Sequence, residues 1–142
     1  MATDKPELAK ADSYTDFVQS LELIAIALTT SSVRIKRDEY FKAREPDLTV
    51  AVALKPKRLS RDHFDLQAEA KVRLTRRRSG RLFDLSVTYD LHFHAKPPID
   101  AKLVRRFADS GAHLVLWPYL REYVSDVSAR MYIPPILLPV SM

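Results

Sequence analysis

The chain predicts an α+β fold, with an N-terminal helix, four strands and then helices. Three observations carry this. Strictly alternating apolar and polar residues fill most of 48–93, apolar residues recur at three- and four-residue steps before and after that region, and proline or glycine separates the runs.

Met1 to Asp12 is polar and carries Pro6, which predicts a flexible tail ahead of a single domain over 13–142. Phe17, Leu21, Ile24 and Leu28, with Val18 and Ala25, follow a helical period, so a helix is expected over Tyr14–Leu28, capped by Ser13 or Thr15. The run Leu23 to Leu28 also fits a buried strand, because short apolar runs do not fix a period. Val33 and Ile35, with Tyr40 and Phe41, suggest a first strand ending before Arg44-Glu45-Pro46. In the second, Leu48, Val50, Val52 and Leu54 alternate with smaller or polar residues until Pro56 stops pairing.

The next two strands have opposite parity. Phe64, Leu66, Ala68, Ala70, Val72 and Leu74 are even-numbered, whereas Phe83, Leu85, Val87, Tyr89, Leu91 and Phe93 are odd-numbered. A hairpin must put both sets on one side, so even pairs with odd. With Arg77-Arg78-Ser79-Gly80 as the loop, Arg73 faces Asp84, Lys71 faces Ser86, Asp65 faces His92 and Phe64 faces Phe93. A tighter turn at Ser79-Gly80 would oppose Glu69 and Asp90, a like-charge pair costing roughly a few tenths of a kcal/mol or more.

Lys96-Pro97-Pro98 ends the sheet, and Asp100 can cap a short helix bearing Leu103, Val104 and Phe107. Ser110-Gly111 separates it from a long helix whose stripe is Leu116, Leu120, Tyr123, Val124, Val127 and Met131. Pro118 removes one hydrogen bond from that helix and clashes with the Leu114 carbonyl, so the helix should restart or bend there. Beyond it, 132–140 sets bulky apolar residues on a backbone that prolines keep out of regular pairing, a tail that must find cover or a ligand.

Composition narrows the function. With 142 residues, 46% of them hydrophobic, the chain can build one core. It has no cysteine, which excludes disulfides and thiolate chemistry and points to the cytoplasm. The N-terminus lacks a signal-peptide pattern and no apolar run approaches the roughly 20 residues a membrane span needs, so a chain neither secreted nor membrane-spanning is expected. With only Gly80 and Gly111 there is no phosphate-binding loop or nucleophile elbow, so no catalytic residue is assigned and no cofactor is implied. His92 and His94, with Asp65 and His63 opposite, could conceivably approach a metal, but a solvated polar face explains them and no metal is assigned. The net charge of +5 raises nucleic acid as a partner. The basic residues are spread over turns, and the aromatics lie among aliphatic neighbours, so a basic nucleic-acid-binding domain stays the second choice.

Trp117-Pro118-Tyr119-Leu120-Arg121-Glu122, a helical stretch to Arg130, Ile133-Pro134 and then Leu138-Pro139-Val140 together resemble the signature of the SecB chaperones. The motif residues are Trp117, Pro118, Tyr119, Arg121, Glu122, Pro134, Pro139 and Val140. The resemblance implies a four-stranded antiparallel sheet with the long helix packed on one face, assembled as a cytoplasmic homotetramer, a dimer of dimers. It implies an ATP-independent holdase that binds unfolded or aggregation-prone polypeptides, either export precursors or an antitoxin. Trp117, Tyr119, Tyr132, Ile133, Ile136 and Leu138 become the candidate client-binding residues, and Leu116, Leu120, Tyr123, Val124, Val127 and Met131 the candidate oligomer packing. Export-type members are acidic and continue past the Pro-Val element to contact the SecA motor. This chain is basic and stops at Met142, which argues against SecA as a partner.

Overall fold

The computed structural model describes the backbone of residues 5–77 and 80–140 and the side chains of 13–77 and 80–140. The elements run α1 (Lys5–Ser20), β1 (Glu22–Ile35), α2 (Arg37–Lys42), β2 (Asp47–Leu59), β3 (His63–Arg76), β4 (Gly80–His94), α3 (Ala101–Ser110) and α4 (Ala112–Arg130). The strands form one antiparallel sheet in the order β1-β4-β3-β2. Three consecutive strands lie side by side and β1 returns beside β4, a Greek-key arrangement.

The core follows from the opposed parities of β3 and β4. Phe64, Leu66, Ala68, Ala70, Val72 and Leu74 are all buried against Phe83, Leu85, Val87, Tyr89, Leu91 and Phe93. Phe64 pairs with Phe93, Asp65 with His92, Lys71 with Ser86 and Arg73 with Asp84, as expected. At the closed end the register slips after Leu74, and Gly80 pairs with Arg76 inside the strand rather than in the loop. Gly80 has φ +68, a left-handed conformation that suits glycine at a tight strand entry. Arg78 and Ser79 lie outside the described residues.

The N-terminal third differs from the sequence expectation. α1 takes in Lys5 to Asp12, assigned above to a tail, and stops at Ser20, so Ser13 and Thr15 are interior positions and not caps. Leu23 to Leu28 is strand, the alternative reading of that run. The run gains a ladder against β4 here, which outweighs the helix propensity of its leucines and alanines. Val33 and Ile35 end this same strand, while Tyr40 and Phe41 belong to the helical turn α2. β2 also runs past Pro56 to Leu59. It is an edge strand with a register shift after Pro56, and there the missing N–H costs nothing on the open side.

The helices cover the sheet unevenly. Asp100 caps α3 by accepting from the Lys102 amide at 2.8 Å, and α3 packs over β2. Phe107 meets Phe64 and Phe93 edge-on, and Phe17 from α1 stacks on Phe64 at 5.9 Å. Gly111 admits the close turn into α4, since a Cβ there would stand 2.9 Å from the Phe107 ring. α4 passes through Pro118 as one helix and does not restart.

Candidate functional site

Whether a side chain on α4 is available depends on which flank it occupies. Leu116, Leu120 and Val124 are fully buried and Val127 nearly so, all against the protomer's own sheet. Most of the stripe expected to pack copies together therefore also lies in the protomer's own core. Tyr123 and Met131 are only half-buried and keep some surface.

On one flank the helix holds the tail down. Trp117 Nε1 donates to the Pro139 carbonyl at 2.8 Å and Arg121 Nε to the Leu138 carbonyl at 3.2 Å. Ser128 Oγ donates to the Val124 carbonyl and accepts from the Ile136 amide at 3.2 Å. Prolines deprive 132–140 of ladder partners, so helix side chains satisfy its backbone instead. Trp117, Ile133, Ile136 and Leu138, four of the client-binding candidates, are buried by this arrangement. The turn into the tail is a Schellman motif: the Ile133 amide reaches the Ser128 carbonyl and the Tyr132 amide the Ala129 carbonyl. Its left-handed position, usually glycine, holds Tyr132 at φ 53 with the side chain 86% exposed.

On the other flank a groove of about 550 Å³ lies between α4 and β1. Ile26 and Leu28 form its β1 wall, Tyr119 and Tyr123 project from α4, and Tyr89 of β4 is at its floor. Glu122 and Asp126 are its charged lining residues. The groove exists because α3 and α4 favour the β2 side, leaving Leu28 of β1 46% exposed. A contact between Ser31 Oγ and Tyr123 Oη bridges strand and helix. Burial, and after it the nearby Tyr123 and Glu122, push the Tyr89 hydroxyl up to about 12, so it stays protonated.

Of the six client-binding candidates, Tyr119 and Tyr132 are exposed and Tyr119 lines the groove. Ile26, Leu28 and Tyr89 were missed as site residues. The strand reading of Leu23 to Leu28 was the available signal for the first two, since it turns Ile26 and Leu28 toward the helical layer.

The histidines do come together. The His63 ring lies 5.2 Å from His92 and 5.0 Å from His94. His63 Nδ1 is engaged by Asp62 at 2.7 Å and His92 Nδ1 by Asp65, and no described cluster has the geometry of a metal site. Basic side chains on the outer sheet face are matched by acids: Arg73 and Arg81 share Asp84, and Lys57 lies 3.6 Å from Asp90. No described helix is long and apolar enough to cross a membrane.

Comparison with known proteins gives a family and a fold. The family described as preprotein translocase subunit SecB matches residues 29–141. No curated protein sequence matches the chain. Among solved structures, it resembles a Mycobacterium tuberculosis SecB-like chaperone in complex with a ChAD peptide from the HigA1 antitoxin. That likeness has TM-score 0.64 and 20% identity, and covers 87% of this chain and 92% of the other. A protein of unknown function from Streptococcus agalactiae aligns with TM-score 0.48 and 10% identity over 84% of this chain and 96% of its own.

Proposed function

The chain belongs to the SecB family, whose match spans residues 29–141, and from that premise we propose that it is an ATP-independent holdase for unfolded or aggregation-prone polypeptides. The observation that carries this reading is the groove between β1 and α4. Its walls are apolar and aromatic, and Leu28 and Tyr119 keep exposed surface there.

The physics suits a sequence-tolerant binder. Covering apolar surface contributes about 25 cal/mol per Å², without any side-chain hydrogen-bond code. An extended client lying along β1 also meets the open backbone of an edge strand. Ile26, Leu28, Tyr119 and Tyr123 are the contact residues, with Tyr132 extending the aromatic surface at the helix end. The solved relative holds an antitoxin peptide, which favours an antitoxin over export precursors as the client here. A cytoplasmic homotetramer goes with the reading. Of the α4 stripe, Met131 is half-buried and outside the groove lining, and it keeps surface for a contact between copies.

The test is the light scattering of a chemically unfolded, aggregating client without nucleotide. A molar excess of the chain should slow aggregation severalfold, and an unchanged rate contradicts the proposal. Mass in solution tests the assembly: a tetramer is expected, and a stable monomer counts against it.

A further inference from the structure

Tyr89 sits where a chaperone groove has least use for a lone polar atom. It is 5% exposed, on the groove floor, and its hydroxyl is buried with no hydrogen-bond partner among the described residues. Buried hydroxyls are nearly always paired, because an unmade hydrogen bond leaves the full desolvation cost in place. A phenylalanine would fill the same space without that cost.

The surroundings define what the hydroxyl can bind. Burial and the neighbouring Glu122 and Tyr123 keep its proton on, so it is available as a donor. The groove lining carries Glu122 and Asp126 but no lysine or arginine, which disfavours an anionic ligand. The neutral acceptor that every unfolded chain supplies, whatever its sequence, is the backbone carbonyl. Tyr123, which also touches Ser31 of β1, lines the groove together with Tyr89.

Resting on the holdase reading above, the geometry points to Tyr89 as a polar anchor of the groove, donating its hydroxyl hydrogen to a main-chain carbonyl of an extended client segment. The anchor orients the client backbone without reading its sequence, so apolar contacts set affinity and Tyr89 sets depth and alignment.

The experiment compares wild type, Tyr89→Phe and Leu28→Asp, using a fluorescent, reduced and carbamidomethylated lysozyme chain as the probe. Kd comes from anisotropy and thermal stability from melting. Tyr89→Phe should weaken binding roughly tenfold, by losing one donor to a buried carbonyl, and should melt no lower than wild type, since no native hydrogen bond is lost. Unchanged Kd in Tyr89→Phe overturns the inference while leaving the holdase reading intact. A lower melting temperature with a matching loss of affinity also overturns it, because the hydroxyl then supports the fold. If wild type does not bind, or Leu28→Asp binds as well as wild type, the groove reading itself fails and the anchor with it.

Discussion

On one flank of α4, Trp117, Arg121 and Ser128 grip the proline-rich tail by its backbone, and Ile133, Ile136 and Leu138 are sealed beneath it. On the other flank, β1 faces the helix across an open groove with Leu28 nearly half exposed. Both regions are apolar, and apolarity alone does not separate them. What separates them is backbone satisfaction. A tail without ladder partners must be held by helix side chains, and being held buries its apolar residues. A strand already paired with β4 needs nothing more from α4, so its inner face can stay open.

The largest effect expected from breaking this contrast is on the sealed flank. Trp117→Ala removes a buried aromatic and the grip on Pro139, and should cost about 3–5 kcal/mol in a denaturant titration. A cost under about 1 kcal/mol would mean the tail is not held as described. On the open flank, Leu28→Asp should barely change stability, within about 0.5 kcal/mol, because a half-exposed position tolerates charge. Its client affinity should drop about tenfold or more, a value read by anisotropy.

A smaller change sharpens the comparison where tail and helix meet. Tyr132→Gly relieves a side chain from the left-handed region and should raise stability by about 1 kcal/mol. If Tyr132 also contacts clients, that variant should gain stability and lose affinity together. The smallest effect is at high pH. The folded chain keeps the Tyr89 proton up to about 12, whereas the unfolded chain releases it at the ordinary value of 10. Stability from this group is therefore fully present below pH 10 and is lost as pH rises toward 12. Ultraviolet titration should show a tyrosine ionising toward 12 that disappears in Tyr89→Phe, while Tyr40, also raised by burial, stays.

How far the sequence was legible follows the same physics. β3 and β4 could be aligned residue by residue because each has one wholly apolar side, and a slip would have turned that side to water. The Asp100 cap and the Gly111 break could be read because single residues there make local contacts. β1 could not, since Leu23 to Leu28 is apolar throughout and its period is decided by pairing with β4, far away in sequence. The Trp-Pro-Tyr-x-Arg-Glu motif was visible, but its work was not. Trp117 was a candidate for client contact and Arg121 a residue of the family motif, and both act as donors to a backbone that only the folded tail brings near. The left-handed turn at Tyr132 was hidden for a related reason, as a Schellman turn without glycine leaves no compositional mark.

The most direct test places a photo-crosslinking amino acid at Leu28 in one variant and at Leu137 in another, then adds the same unfolded client to each. Leu137 lies on the tail and is 75% exposed, so reach alone does not favour Leu28. Strong client crosslinks from position 28 and weak ones from position 137 are expected. The reverse pattern would place client binding on the tail and contradict the account.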